Sequence, residues 1–364
     1  LWQKAFLDPL IGGEMVKPIF IDGKELSDNF PPYIIAEISA NHNGSLERAL
    51  DTILAAKESG ADAVKIQSYT PDTMTIQSEK KDFMISKGLW SGRSLFNLYS
   101  EAFTPFEWHA RLFEYAREIG ITLFSTPFDE TAVDLLEDLK APAYKIASFE
   151  LVDLPLIKYV AKKGKPMLIS TGMASLQEIA NAIKTARLNG CEHIAIFHCI
   201  SSYPTPLEQA NLSLIGLLQK EFKVQVGLSD HTLGNLAGIV ATGLGVTLIE
   251  KHLTLSRSDG GVDSEFSMEP GEMKKFVNEC KSAFKSLGNS IFKRSDLEAE
   301  NKIFRRSLYF VEDLNQGEII TSKHVKRIRP GYGLHPKYLT KVIGSKVKKN
   351  VSRGDRVSLD NVDV

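Results

Sequence analysis

The chain has 364 residues, 43% of them hydrophobic and 24% charged, with 44 Lys and Arg against 45 Asp and Glu. This size suggests about two domains, and the composition excludes a mostly disordered or collagen-like chain. A net charge of −1 supplies no global basic field, so neither nucleic acid nor an anionic membrane is expected as a partner.

Leu1 is not an initiator residue, whereas Met15 could serve as one. Residues 1–17 are read as an N-terminal extension without the basic-then-apolar layout of a secretory leader. From about residue 32 to 285, short apolar runs alternate with longer amphipathic ones. The strand-like runs are 33–38, 63–66, 122–125, 144–147, 167–170, 194–198, 224–228 and 246–250. Helix-period stretches lie between most of them, including 45–59, 131–139, 175–188 and 235–244. Eight strands with following helices over ~250 residues predict a (β/α)8 TIM barrel, an α/β fold, assigned to residues 18–285. A doubly wound open sheet is the alternative, but no GxGxxG turn follows the first strand.

The connection 72–107 is long and carries Phe83, Leu89, Trp90, Leu95, Phe96, Leu98 and Tyr99. It is read as an ordered excursion above the barrel. The uncharged stretch 232–249 is broken by glycines, and reads as a buried helix, a glycine stop and a strand rather than a membrane span. Residues 286–305 read as a charged linker. Residues 306–364 read as a small β-rich domain, with β-like pieces at 307–311, 325–328, 346–347 and 355–357. Its thin core predicts docking onto something larger. Cys191, Cys199 and Cys280 form no disulfide framework and suit a reducing cytoplasm.

A barrel carries its chemistry at the C-terminal ends of its strands. Those ends read Glu37; Lys65 and Gln67; Ser125-Thr126; Lys145, Ser148 and Glu150; Ser170; His198-Cys199 with Ser201 and Tyr203; Ser229-Asp230-His231; and Glu250 with His252. Each has a bland reading alone. A lysine is usually a surface cation with a packed stem, a hydroxyl a turn former or cap, and Asp230 a cap for the next helix. Their convergence on one rim is the signal, because burying so many polar groups without use is costly. Two lysines with hydroxyls suggest a phosphate or carboxylate site. His231 and His252, on adjacent strands, could share one divalent cation with open positions for catalysis. Glu37 and Glu150 are candidates for proton transfer.

The segment Ile35-Ala36-Glu37-Ile38-Ser39-Ala40-Asn41-His42-Asn43-Gly44 resembles the opening strand of the sialic acid synthase family. Lys65-Ile66-Gln67, Tyr144-Lys145-Ile146-Ala147-Ser148, Tyr203-Pro204-Thr205, Gly227-Leu228-Ser229-Asp230-His231 and Glu250-Lys251-His252 resemble it in the same order. Arg329-Pro330-Gly331 resembles that family's antifreeze-like (SAF) domain. Gly88-Leu89-Trp90, Leu98-Tyr99, Ala147-Ser148-Phe149-Glu150 and Asp263-Ser264-Glu265-Phe266 resemble the branch that makes pseudaminic acid more than the N-acetylneuraminate branch.

The resemblance implies condensation of phosphoenolpyruvate with the aldehyde of 2,4-diacetamido-2,4,6-trideoxy-L-altrose, with C–O cleavage, giving pseudaminic acid and phosphate. N-acetylneuraminate or legionaminate synthesis is the rival. It further implies a metal at His231 and His252, Mn2+ by preference with Mg2+ or Co2+ as alternatives. Phosphoenolpyruvate is implied at Lys65, Thr126, Lys145, Ser148, Ser170, Ser201 and Ser229, where Ser201 replaces an asparagine usual in the family. Sugar contacts are implied for Gln67, Tyr203, Asp263 and Arg329. Glu37, Glu150, Lys145 and Asp230 are implied as catalytic. A domain-swapped homodimer is implied as well, with Arg329 reaching a partner's pocket. A phosphorylated-sugar synthase would need a second cationic cluster, and a sugar-binding or structural protein would not need the intact rim.

Overall fold

The computed structural model describes residues 16–288 and 295–363, so the predicted extension before residue 16 lies outside the described residues. The chain divides into two compact units, 1–288 and 289–364.

In the first unit, two short strands, β1 (Ile19–Ile21) and β2 (Lys24–Leu26), form an antiparallel hairpin. Eight parallel strands follow: β3 (Tyr33–Glu37), β4 (Ala63–Ser68), β5 (Thr122–Pro127), β6 (Tyr144–Ile146), β7 (Met167–Ser170), β8 (Ile194–Cys199), β9 (Gln225–Asp230) and β10 (Leu248–His252). They close in chain order, with β10 hydrogen-bonded back to β3. This is the predicted TIM-like barrel. All eight predicted runs are strands, displaced by at most a few residues at their ends.

The helices begin where the sequence provides caps. Ser45 accepts from the Arg48 amide to start Leu46–Glu58, which buries Ala49, Thr52, Ile53 and Ala56. Ser175 and Glu178 form a capping box at Leu176–Leu188. The stretch 232–249 resolves into helix Leu236–Gly243 and strand β10. Gly245 lies between them at φ +82°, a left-handed turn that a side chain would strain. Among the described residues no helix is long and apolar enough to cross a membrane.

Strand side chains alternate between two faces. One set (Ile34, Val64, Ile66, Leu123, Ile146, Ile169, Ile196, Leu228 and Ile249) packs against the helices. The other (Tyr33, Ile35, Ala63, Phe124, Leu168, Phe197 and Leu248) fills the barrel together with Ile19, Ile21 and Leu26 of the hairpin. The hairpin, which sequence reading missed, therefore plugs the N-terminal end of the barrel. Gly227 makes room for this filling, since a Cβ there would come within 2.8 Å of Phe197 and of the Leu248 carbonyl.

In the second unit, β11 (Ser307–Phe310) and β12 (Val325–Ile328) pair antiparallel. The pieces predicted at 346–347 and 355–357 are single bridges, such as Val347 to Val362 and Tyr309 to Arg356, rather than strands. Ten buried residues, Phe310, Ile320, Val342 and Val357 among them, form its core. The barrel's last helix, Pro270–Leu287, runs two residues past the predicted end of the barrel.

Ile21 is fully buried in the plug. Ile21→Ala should lower unfolding free energy by about 2–4 kcal/mol in urea titrations, because the closed barrel end cannot collapse onto the gap. A change below ~0.5 kcal/mol would contradict the plug.

Candidate active site

Above the aliphatic filling, the inward face of the strands becomes polar. Glu37, Lys65, Lys145 and Glu250 are all at most 4% exposed. Lys65 Nζ lies 3.0 Å from Glu37 Oε2 and 3.4 Å from Glu250 Oε1, and it donates to Thr126 Oγ1 at 3.0 Å. Lys145 Nζ donates to Glu250 Oε2 at 2.9 Å and stands 4.6 Å from the Phe197 ring centroid. Glu250 thus bridges both ammonium groups, and Ser229 Oγ donates to it at 3.3 Å. Gln67 Nε2 donates to Glu37 Oε1 and to Ser39 Oγ, each at 3.0 Å, and the Ser39 hydroxyl donates to Asp263.

Burial alone would raise the Glu250 carboxyl, but Lys145 and Lys65 outweigh it and hold it at about 2. Glu37 goes the other way. Burial pushes its carboxyl up against the pull of Lys65, and nearby Glu250 adds to the rise. Burial also weakens the charged form of Lys145, with Lys65 adding to it. Burial would weaken the charged form of Lys65 too, but Glu250 and Glu37 outweigh it and raise that ammonium. Both lysines line the cavity.

Hydroxyls ring the same mouth. Ser148, Ser170 and Ser229 line the cavity. The Gly172 amide donates to Ser148 Oγ at 3.1 Å. Gly172 has to be glycine, since a Cβ would collide with the hydroxyls of both Ser201 and Ser148. The cavity, about 390 Å³, extends from Lys65, Lys145 and Glu250 past His231, His252 and Tyr203 to Trp90, Leu98 and Phe128.

The His231 and His252 ring centroids are 5.3 Å apart. His231 Nδ1 faces the Ile200 carbonyl at 3.0 Å, so it carries the proton and leaves Nε2 with its lone pair. Burial, helped by His231, holds His252 well below the usual imidazole range. Its Nδ1 is buried with no hydrogen-bond partner among the described residues. Burial would lower the His231 imidazole, but Cys199 outweighs it and raises it. In their neutral forms the two rings fit as two ligands of a divalent cation. No cluster of three His, Cys, Asp or Glu donors lies close enough to hold a metal among the described residues, so water and substrate would fill the remaining positions.

Glu150 sits in the single helical turn Phe149–Val152, just beyond β6. Its Oε2 is buried without a partner. Burial lifts its carboxyl to about 7.

Three predicted residues fall outside this constellation. Asp230 is on the outward face of β9, where Oδ2 pairs with Lys251 at 2.8 Å and Oδ1 accepts from the Thr232 amide at 2.9 Å. Strand alternation turns it toward the helix layer, so it does not touch the cavity and the catalytic expectation is corrected. Ser201 is half-buried, its hydroxyl 3.9 Å from Cys199 Sγ, and it is not among the residues that line the cavity. Arg329, just after β12, is exposed and belongs to the second unit. Conversely, Glu250 was noticed at a strand end but given no role. Its spacing two before His252 was the usable signal. Ser39 and Phe266 also line the cavity without a predicted role, as does Cys199, which the sequence places at the end of its strand.

A closed parallel barrel with buried lysines, carboxylates and two histidines gathered at its mouth defines a barrel enzyme. The sequence matches the NeuB family over residues 52–292 and the SAF domain over 305–363. It is 43% identical to the pseudaminic acid synthase of Campylobacter jejuni (serotype O:23/36) over 323 residues, covering 89% of this chain and 94% of that one. Against the Helicobacter pylori pseudaminic acid synthase it is 42% identical over 334 residues, covering 92% and 98%. The crystal structure of the N-acetylneuraminic acid synthetase of Leptospira borgpetersenii, in complex with citrate, superposes with a TM-score of 0.72 at 31% identity, covering 80% of this chain and 96% of that one. The chain belongs to the NeuB family and carries a C-terminal SAF domain.

Glu150 supplies a pH test. Below about pH 4.5 its carboxyl is protonated both folded and unfolded and has no net effect. As pH rises toward 7 the unfolded chain ionises first, so the native state is progressively penalised. Glu150→Gln should therefore gain about 1–3 kcal/mol in stability at pH 8.5 relative to its effect at pH 4.5, read from urea unfolding. Equal effects at both pH values would refute the buried-carboxyl assignment.

Proposed function

We propose that the chain condenses phosphoenolpyruvate with the open-chain aldehyde of 2,4-diacetamido-2,4,6-trideoxy-L-altrose to form pseudaminic acid and phosphate. The observation that carries this reading is the buried pair Lys65 and Lys145, drawn together by Glu250 at a hydroxyl-ringed mouth beside His231 and His252. The names of the C. jejuni and H. pylori relatives supply the product.

In the reaction, the methylene carbon of the enol attacks the aldehyde carbon and a C–C bond forms. Water adds to the carbon bearing the phosphate ester, and breakage of its C–O bond releases phosphate. Lys65 and Lys145 neutralise the anion, with Ser148, Ser170 and Ser229 as short donors and Thr126 fixing the Lys65 ammonium. Glu150, with a free oxygen and a carboxyl near neutrality, is suited to exchange a proton with the sugar oxygens. Glu37, held by Lys65 and Gln67, orients groups at the floor. Tyr203 and Asp263 line the sugar side. A divalent cation at His231 and His252, Mn2+ by preference, would supply Lewis-acid polarisation of the aldehyde oxygen.

The reading includes a domain-swapped homodimer in which Arg329 serves a partner's pocket. Charge supports it. Residues 289–364 hold 16 Lys and Arg against 9 Asp and Glu, whereas residues 1–288 hold 28 against 36. A basic small unit suits an acidic barrel.

The deciding assay mixes phosphoenolpyruvate and Mn2+ with either the altrose-type sugar or N-acetylmannosamine, and reads phosphate release and product mass. Turnover of the altrose-type sugar is expected. Preference for N-acetylmannosamine or a legionaminate precursor would move the chain to the rival branch, and no turnover with any amino sugar would reject the synthase reading. Arg329→Ala should raise the sugar KM at least tenfold while leaving the phosphoenolpyruvate KM within about twofold. An unchanged sugar KM would remove Arg329 from the site. His252→Ala should reduce tightly bound Mn2+, measured by equilibrium dialysis, at least tenfold. Undiminished binding would remove the metal from the two histidines.

A further inference from the structure

We infer that the excursion between β4 and β5 builds an apolar compartment for a methyl-terminated arm of the sugar, and that this compartment sets which amino sugar the site accepts. The inference rests on the synthase reading and concerns a part of the cavity that reading leaves without a task.

The lining separates into two regions. The charged groups and hydroxyls come from the strand ends. The opposite wall is carbon: Met74, Ile85, Leu95 and Leu98 from the excursion, closed by Phe128 after β5. It is a built wall rather than a loose flap. Ile85 and Gly92 close a small hairpin, with the Ile85 amide donating to the Arg93 carbonyl at 2.9 Å and the Gly92 amide to the Ile85 carbonyl at 2.8 Å. Helix Leu95–Ala102 starts on Ser94, which accepts from the Asn97 amide, and buries Leu98. Tyr69 joins the layers, edge-on to Tyr99 at 5.8 Å and to Phe128 at 5.2 Å.

A second fastening ties the excursion to the loop after β10. The Trp90 indole N–H donates to the Val262 carbonyl at 3.0 Å, and its ring lies 5.6 Å from Tyr203. The excursion is thereby tied to the residue next to Asp263, which also lines the cavity.

The side chains of Met74, Ile85, Leu95, Leu98 and Phe128 offer no partner to a hydroxyl and good contact to a methyl, while Tyr69 and Tyr99 line the cavity as well. At its border stands the unpartnered Glu150 oxygen, which can accept from an amide N–H. An N–H acceptor beside a carbon-lined compartment matches an acetamido or deoxy arm ending in CH3, and rejects the same arm ending in OH.

The test uses the full chain with phosphoenolpyruvate, Mn2+ and three sugars: the diacetamido-trideoxy sugar, its analogue with a hydroxyl on C6, and its analogue with N-formyl in place of N-acetyl. For the wild type, kcat/KM should fall at least tenfold on one of the two analogues, the 6-hydroxyl arm identifying the deoxy methyl and the N-formyl arm an acetamido methyl. A single methyl in a fitted compartment discriminates by about 10–200-fold. Leu98→Asn, and Ile85→Asn at a more accessible position, should narrow that ratio at least fivefold, with the phosphoenolpyruvate KM within about twofold. Leu98→Met should restore it. Equal use of all three sugars by the wild type, or an unchanged ratio in both folded Asn variants, overturns the inference. Absence of phosphate release with every sugar would instead reject the underlying synthase reading.

Discussion

Everything at the mouth depends on charges that are almost fully buried at the floor of the cavity. Lys65 and Lys145 are buried, and a buried ammonium without a counter-charge is expensive. Glu250 meets that demand by touching both, at 3.4 and 2.9 Å. Glu37 is a poorer counter-ion, because burial and Glu250 both favour its neutral form. Lys65 is held by both Glu37 and Glu250, which outweigh its burial, whereas Lys145 is weakened by burial with Glu250 as its carboxylate partner, and so is the cation open to a further anion. An incoming phosphate or carboxylate then completes the compensation rather than displacing a satisfied network.

The two-residue strand period produces this arrangement and also explains what the sequence disclosed. Leu248, Glu250 and His252 face in, while Ile249 and Lys251 face out. The same rule separates Ser229 from Asp230. Apolar runs with polar ends made all eight strands and most of the rim legible before any coordinates. Asp230 was misjudged because strand-end position was read without parity, and its partner Lys251 shares the outward face. The hairpin Ile19–Ile21 with Lys24–Leu26 escaped because three-residue strands give no measurable alternation. Ser201 takes the place of an asparagine in the family pattern, and its hydroxyl stands where a Gly172 side chain would, off the cavity lining.

Family resemblance added what spacing could not. Two histidines on adjacent strands suggested a shared cation, and their ring centroids stand 5.3 Å apart. One has its Nδ1 proton committed to a carbonyl, and the other is neutral with an unspent nitrogen. The excursion shows the complementary case. Its apolar residues were visible in the sequence, but only the fold shows that they form one wall, fastened through Trp90 to the Val262 carbonyl. Chemistry at the strand ends and selection by a fastened loop divide the cavity between rigid and variable parts of the barrel.

The account stands on the lysine pair as an anion site. Its most direct test is calorimetric titration of phosphoenolpyruvate into the wild type and into Lys145→Met, with thermal melting used to verify that the variant is folded. The predicted result is a loss of affinity of at least tenfold, in line with one charge-assisted contact. An affinity equal to that of the wild type in a folded variant would contradict it.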